Sequence, residues 1–71
     1  MINLTILGST GTIGVNTLDV VTRMAEKFHI FALTANFNVD LIYSQCLTWW
    51  PDYAVMADEE AAESLRKRLK N

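Results

Sequence analysis

Cysteine and basic side chains are few in this chain, and each shortage argues against a class of protein. The single cysteine, Cys46, cannot form an internal disulfide, and no zinc-binding pair of cysteines exists. Six basic residues against eight acidic ones give a net charge of -2, which provides no electrostatic footprint for nucleic acid or an anionic membrane. No apolar run approaches the ~18 residues that span a bilayer. We therefore expect a cytoplasmic protein with neither of these partners.

The length of the chain limits it to one small layered unit. Its 71 residues are 51% hydrophobic, which suits part of a domain rather than a two-domain enzyme. A chain of this size buries only about 60% of the surface of its unfolded state, so its stability is marginal without a disulfide, a metal or a partner. We expect residues 1–71 to be a truncated piece of a larger fold.

Three short apolar segments alternate with three segments of helical character. Strands are predicted at residues 2–7, 29–35 and 53–57, because these runs are short, apolar and bounded by turn-forming residues. A first helix is predicted from apolar positions at three- and four-residue spacing, which are Leu18, Val21, Ala25 and Phe28.

Caps and charges mark the second and third helices. Asn38 is the predicted cap of a helix that begins at Val39 and is closed by Pro51. Its inward stripe is predicted to be Ile42, Cys46 and Trp49. Asp58 is the predicted cap of the last helix, whose acidic start and basic end suit the helix dipole.

The order β-α-β-α-β-α predicts an α/β fold, namely half of a Rossmann-like doubly wound parallel sheet. Right-handed crossovers place the strands in the spatial order three, two, one and leave one edge of strand one free. The uninterrupted apolar strands indicate that helices cover both faces of the sheet.

Three glycines lie where the first strand gives way to the first helix. Gly8, Gly11 and Gly14 form G-x-x-G-x-x-G, and they are all the glycines of the chain. Gly8 suits a tight turn, Gly11 leaves room for a pyrophosphate, and Gly14 allows the helix to pack closely on the sheet. The alternative is that the glycines only permit a sharp turn. No Gly-Lys-Ser/Thr follows, which excludes a P-loop.

Polar groups around this turn are candidate phosphate ligands. The amides from Thr10 to Ile13 and the hydroxyls of Ser9, Thr10 and Thr12 are expected to donate to phosphate oxygens at the helix N-terminus. These residues and the glycines together predict a dinucleotide-binding turn.

The end of the second strand indicates which dinucleotide fits. A carboxylate in this region normally holds the adenosine ribose of NAD, but the segment from Thr34 to Asn38 contains no acid. NADP is therefore favoured, with Thr34, Asn36 and Asn38 as possible ligands of its 2′-phosphate. Asn36 and Asn38 are also suited to serving the turn and the helix cap, and both interpretations stay open.

Several strings of residues resemble one enzyme family. LTILGSTGTIG followed by NTLDVV, then ALTAN and PDYAVM, resemble the opening of 1-deoxy-D-xylulose 5-phosphate reductoisomerase. The resemblance implies an enzyme of non-mevalonate isoprenoid biosynthesis that rearranges and reduces 1-deoxy-D-xylulose 5-phosphate to 2-C-methyl-D-erythritol 4-phosphate. It also implies NADPH, a divalent metal (Mg, Mn or Co) and a homodimer.

The resemblance also assigns cofactor-binding residues. They are Thr10, Gly11, Thr12 and Ile13 in the turn, and Asn36, Phe37 and Asn38 after the second strand. The family often has Gly-Lys-Asn at the latter site, where the lysine meets the 2′-phosphate, whereas Phe37 stands here and is a hypothetical stacking partner for adenine.

Catalytic and metal-binding residues are expected outside the chain. The resemblance implies that residues 1–71 are the N-terminal part of an NADP-binding domain, inactive alone because the catalytic and C-terminal domains are absent. The alternatives are a segment of another NAD(P)-dependent dehydrogenase and a non-catalytic nucleotide-binding module.

Overall fold

A computed structural model describes residues 2–70 of the chain. Strands and helices alternate along the sequence: β1 (Ile2–Ile6), α1 (Thr12–Thr22), β2 (Phe28–Ala35), α2 (Val39–Trp49), β3 (Tyr53–Met56) and α3 (Glu59–Lys70). This is the predicted β-α-β-α-β-α order of half a Rossmann-like fold. No helix within residues 2–70 is long and apolar enough to cross a membrane.

The three strands form one parallel sheet with β2 in the centre. The strand order predicted from right-handed crossovers is confirmed, and within the described residues β1 and β3 are the edges. The pairing of β1 with β2 shifts after Leu4, because Leu4 lies opposite Ile30 whereas Thr5 lies opposite Ala32. Phe31 is therefore an extra residue in β2, which is a β-bulge.

The helices of the described chain cover one face of the sheet, so residues 2–70 supply only one of the two helix layers that the sequence predicted. Buried residues of all three helices join a single core with one face of the strands; this core includes Leu18, Ile42 and Leu65 from the helices and Ile6, Leu33 and Met56 from the strands. Phe31, Tyr53 and Val55, on alternate strand positions, are exposed. Two right-handed crossovers running in the same direction place α1 and α2 on the same side, and α3 packs against α2.

The first helix is shorter than the sequence pattern predicted. α1 ends at Thr22, the exposed Ala25 lies in the following turns, and Phe28 is the first residue of β2. Phe28 pairs with Ile2, whose amide donates to the carbonyl of Lys27 at 2.9 Å. The helical stripe was therefore wrong at Ala25 and Phe28, because pairing with β1 outweighs the local periodicity.

Both predicted helix caps are confirmed. The side chain of Asn38 accepts a hydrogen bond from the amide of Leu41 at 3.2 Å, and Asp58 accepts one from the amide of Ala61 at 2.9 Å. α2 ends one residue before Trp50, which adopts the left-handed conformation with φ 48° immediately before Pro51.

Candidate functional site

The glycine-rich turn between β1 and α1 is tied to the central strand. Gly8 has φ 67°, which glycine adopts without the penalty of a Cβ atom. Its amide donates to Oγ1 of Thr34 at 3.0 Å, and the amide of Ser9 donates to the carbonyl of Thr34 at 2.8 Å. Gly11 closes the turn by donating to the carbonyl of Gly8 at 2.9 Å. β2 therefore fixes where the turn lies.

Gly14 allows the first turn of α1 to lie directly against this loop. A Cβ atom at position 14 would be 2.3 Å from the carbonyl oxygen of Gly8 and 2.7 Å from Cα of Ser9, both of which are backbone atoms. No side-chain rearrangement relieves such contacts. The sequence predicted that Gly14 lets the helix approach the sheet, whereas the close approach in the structure is to the turn itself.

The N-terminus of α1 presents free amides. Gly11 is the cap residue and supplies no side-chain hydrogen bond. Within the described part of the chain, the amides of Thr10, Thr12, Ile13 and Gly14 have no hydrogen-bond acceptor. Free amides and the helix dipole together favour an anion at this position.

A groove of about 450 Å³ extends from the turn to the end of β2. It is lined by Gly8, Thr10, Gly11, Thr34, Ala35, Asn36, Phe37, Asn38, Val55 and Ala57, none of which is charged. The groove lies at the carboxyl ends of the parallel strands, where α/β proteins bind their ligands. The structure therefore brings five of the seven predicted cofactor-binding residues to one groove, namely Thr10, Gly11, Asn36, Phe37 and Asn38.

The other two predicted residues lie beside this groove. Thr12 and Ile13 are the first residues of α1 and are exposed, but their side chains do not line the groove. Their amides, which have no acceptor within residues 2–70, are the groups that they offer at this position. Phe37 is 75% exposed at the groove, and the side chain of Asn38 is engaged in the α2 cap.

Two hydroxyls differ from expectation. The side chain of Ser9 is completely buried, so the prediction that it donates to a phosphate was wrong. It faces the interior because the turn is folded against the helix layer. Thr34 lines the groove, but its oxygen already accepts from Gly8.

Sequence reasoning missed Gln45, which contacts the turn from α2. Its Nε2 atom donates to the carbonyl of Ser9 at 2.7 Å, and this hydrogen bond is buried. Gln45 lies beside Ile42 and Cys46 on the inward face of α2. A polar residue beside an apolar helical stripe is the one signal that pointed to it.

Metal-binding clusters are not found within residues 2–70, where no three His, Cys, Asp or Glu side chains converge. His29 Nε2 lies 3.2 Å from Asp52 Oδ1, away from the groove. Burial raises the pKa of the Cys46 thiol, and Cys46 belongs to the core.

Comparison with known proteins identifies the family. Residues 4–71 match the family model of 1-deoxy-D-xylulose 5-phosphate reductoisomerase. The chain belongs to this reductoisomerase family. The glycine-rich turn, the groove and the ends of all three strands lie within the matched residues.

Three relatives named 1-deoxy-D-xylulose 5-phosphate reductoisomerase show the extent of the similarity. The chain is 56% identical over 68 residues to that of Methylobacillus flagellatus, 54% over 69 residues to that of Nitrosococcus oceani, and 52% over 67 residues to that of Nitrosomonas europaea. These alignments cover 96%, 97% and 94% of this chain but 17%, 18% and 16% of the relatives. The chain thus spans about one sixth of the length of these reductoisomerases.

Proposed function

We propose that residues 1–71 form the N-terminal, NADPH-binding part of a reductoisomerase that rearranges and reduces 1-deoxy-D-xylulose 5-phosphate to 2-C-methyl-D-erythritol 4-phosphate. The supporting observation is one uncharged groove that joins the free amides before α1 to Asn36–Asn38 after β2. No acidic residue lines this groove at the end of β2, where a carboxylate would favour NAD.

The residues present fit a dinucleotide phosphate. Gly11 is exposed, and no side chain of its own separates its backbone from the groove. The amides of Thr10, Thr12 and Ile13 donate to the pyrophosphate, and the dipole of α1 stabilises its negative charge. Asn36 and Asn38 donate through their side-chain amides to the 2′-phosphate, and the exposed ring of Phe37 stacks on adenine. NADPH, when bound, supplies the hydride for the reduction.

The residues of this chain do not fit the divalent metal of the reaction. Residues 2–70 contain no cluster of three suitable ligands, so we derive no step through Mg, Mn or Co. The 71-residue chain alone is accordingly proposed to bind cofactor without catalysing turnover. The cytoplasmic setting expected from the composition and the homodimer expected from the resemblance belong to the same proposal.

The cofactor proposal is tested by titrating the full chain with NADPH and NADH in a calorimeter. We expect NADPH to bind more tightly than NADH. The variant Asn36→Asp, which places a carboxylate at an exposed position of the groove, should weaken NADPH and leave NADH less affected. Failure of the chain to bind NADPH, or tighter binding of NADH, would overturn the proposal.

Two further measurements address the rest of the protein. NADPH oxidation by the 71-residue chain with 1-deoxy-D-xylulose 5-phosphate and Mg, Mn or Co should stay at background, and turnover would contradict the assignment of catalysis to other residues. The native gene product, captured from cell extract, should be far heavier than 8.0 kDa. A native mass of 8.0 kDa would instead support a non-catalytic nucleotide-binding module.

A further inference from the structure

Gln45 connects α2 to the glycine-rich turn across 36 residues of sequence. It is the single glutamine of the chain and is 8% exposed, on a helix whose other buried residues are Ile42 and Cys46. Its Nε2 atom donates to the backbone carbonyl of Ser9 at 2.7 Å. An apolar side chain at this position would leave the Ser9 carbonyl without this hydrogen-bond donor. The side-chain amide of Gln45 therefore satisfies a buried backbone acceptor.

The polar groups around this bond are otherwise unpaired. Oγ of Ser9 and Oε1 of Gln45 are both buried, and neither has a hydrogen-bond partner among residues 2–70. Buried polar groups without partners lower the stability of the fold, so stability alone does not explain the contact between Gln45 and Ser9. A role in positioning the turn accounts for a polar contact at this place in the core.

The geometry of the peptide group shows what the bond controls. The carbonyl of Ser9 and the N–H of Thr10 belong to one peptide unit, and the described chain contains no cis peptide. In a planar trans peptide, these two bonds point in opposite directions. Because Gln45 holds the Ser9 carbonyl toward α2, the Thr10 N–H points away from α2. Thr10 lines the groove, and its amide has no acceptor within the described chain.

We propose that Gln45 is a positioning residue of the cofactor site, which fixes the Ser9–Thr10 peptide so that the Thr10 N–H faces a phosphate of NADPH. This inference rests on the proposed function. A peptide group free to rotate would present the Ser9 carbonyl oxygen to the phosphate in part of the population, and that oxygen repels an anion. Gln45 therefore contributes to affinity without touching the cofactor.

The test uses the full chain, ¹⁵N-labelled, with NADPH as the probe. Gln45→Met keeps the length of the side chain and its helix propensity but removes the donor. We expect NADPH to bind at least 10-fold more weakly to this variant, and the NADPH-dependent shift of the Thr10 amide resonance to shrink or disappear. Gln45→Asn, which is one methylene shorter and cannot reach the same carbonyl, provides a second variant if Gln45→Met does not fold.

Cys46→Ala is the matched control, because Cys46 is the buried neighbour of Gln45 on α2 and belongs to the core. It should lower the melting temperature while NADPH affinity and the Thr10 shift stay as in the wild type. Wild-type affinity in a folded Gln45 variant, or an equal loss of affinity in Cys46→Ala, would overturn the positioning role. If the wild-type chain itself does not bind NADPH, the proposed function fails, and the positioning role fails with it.

Discussion

The backbone amide of Gly8 donates to the hydroxyl oxygen of Thr34 at 3.0 Å, which joins two residues that are 26 positions apart. Thr34 holds the turn a second time through its carbonyl, which accepts from Ser9 at 2.8 Å. Two hydrogen bonds to β2 therefore hold the loop that carries the free amides. Its position does not depend on contacts within the loop alone. Thr34 consequently fixes the glycine-rich turn relative to the end of β2, and these two segments line the groove.

Thr34→Val should destabilise the chain by about 1 kcal/mol, because it keeps the shape of the side chain and removes the acceptor for Gly8. NADPH affinity should fall as well, since the turn loses an anchor. Thr34→Ser is the control, as it retains the hydroxyl. Urea unfolding of the three proteins compares them, and equal stability of Thr34→Val and Thr34→Ser would show that the bond contributes nothing.

Gly14→Ala should destabilise the chain by roughly 1–3 kcal/mol, because its Cβ would lie 2.3 Å from the carbonyl oxygen of Gly8. Gly11→Ala is the matched control. Gly11 has φ -81°, and a Cβ atom there would be 3.4 Å from the same oxygen, so the fold should tolerate it. We expect Gly11→Ala to unfold like the wild type in a thermal melt yet bind NADPH more weakly, since its methyl group intrudes on the proposed pyrophosphate site. A melting temperature of Gly14→Ala equal to that of Gly11→Ala would contradict this account.

Two variants of Asn38 separate its cap from its proposed contact with the 2′-phosphate. Asn38→Asp keeps an oxygen for the Leu41 amide and adds a negative charge, so stability should hold while affinity for NADPH falls relative to NADH. Asn38→Ala removes the cap and should cost about 1 kcal/mol of stability. Calorimetric titration and thermal unfolding measure the two effects. Unchanged NADPH affinity in Asn38→Asp would leave Asn38 with the cap alone.

Trp50→Gly should stabilise the chain by about 1 kcal/mol, because Trp50 has φ 48° and glycine adopts that conformation without steric cost. The indole is 72% exposed, so little burial is lost. Trp50→Ala removes the same side chain but keeps the strain. A melt in which the alanine variant gains as much as the glycine variant would show that backbone strain is not responsible.

Stability should decline at alkaline pH through Cys46. Burial raises the pKa of this thiol in the folded state, so the unfolded state loses its proton at a lower pH than the folded state. The contribution of the thiol is complete below its ordinary pKa of about 9 and is lost as the pH rises through the raised value. Cys46→Ala should show a flatter dependence of the free energy of unfolding on pH from 8 to 11. If the free energy of unfolding depended on pH in the same way in the wild type and in Cys46→Ala, the thiol would make no such contribution.

Local signals were sufficient for most of the fold. The three strands, the caps at Asn38 and Asp58, and the glycine-rich turn depend on residues close together in sequence, and these predictions agree with the structure. The end of α1 could not be predicted from local signals. Phe28 belongs to β2 because it pairs with Ile2, which lies 26 residues earlier. The burial of Ser9 and its contact with Gln45 are likewise set by the packing of α2 against the turn.

Helices on one side of the sheet have a consequence for how the chain behaves in solution. Phe31 and Tyr53 make an edge-to-face ring contact 5.3 Å apart on the uncovered side, next to the exposed Val55. Exposed apolar surface favours association, so we expect the isolated chain to self-associate through this side as its concentration rises. Salts such as sulfate, which strengthen the burial of apolar surface, should increase this association.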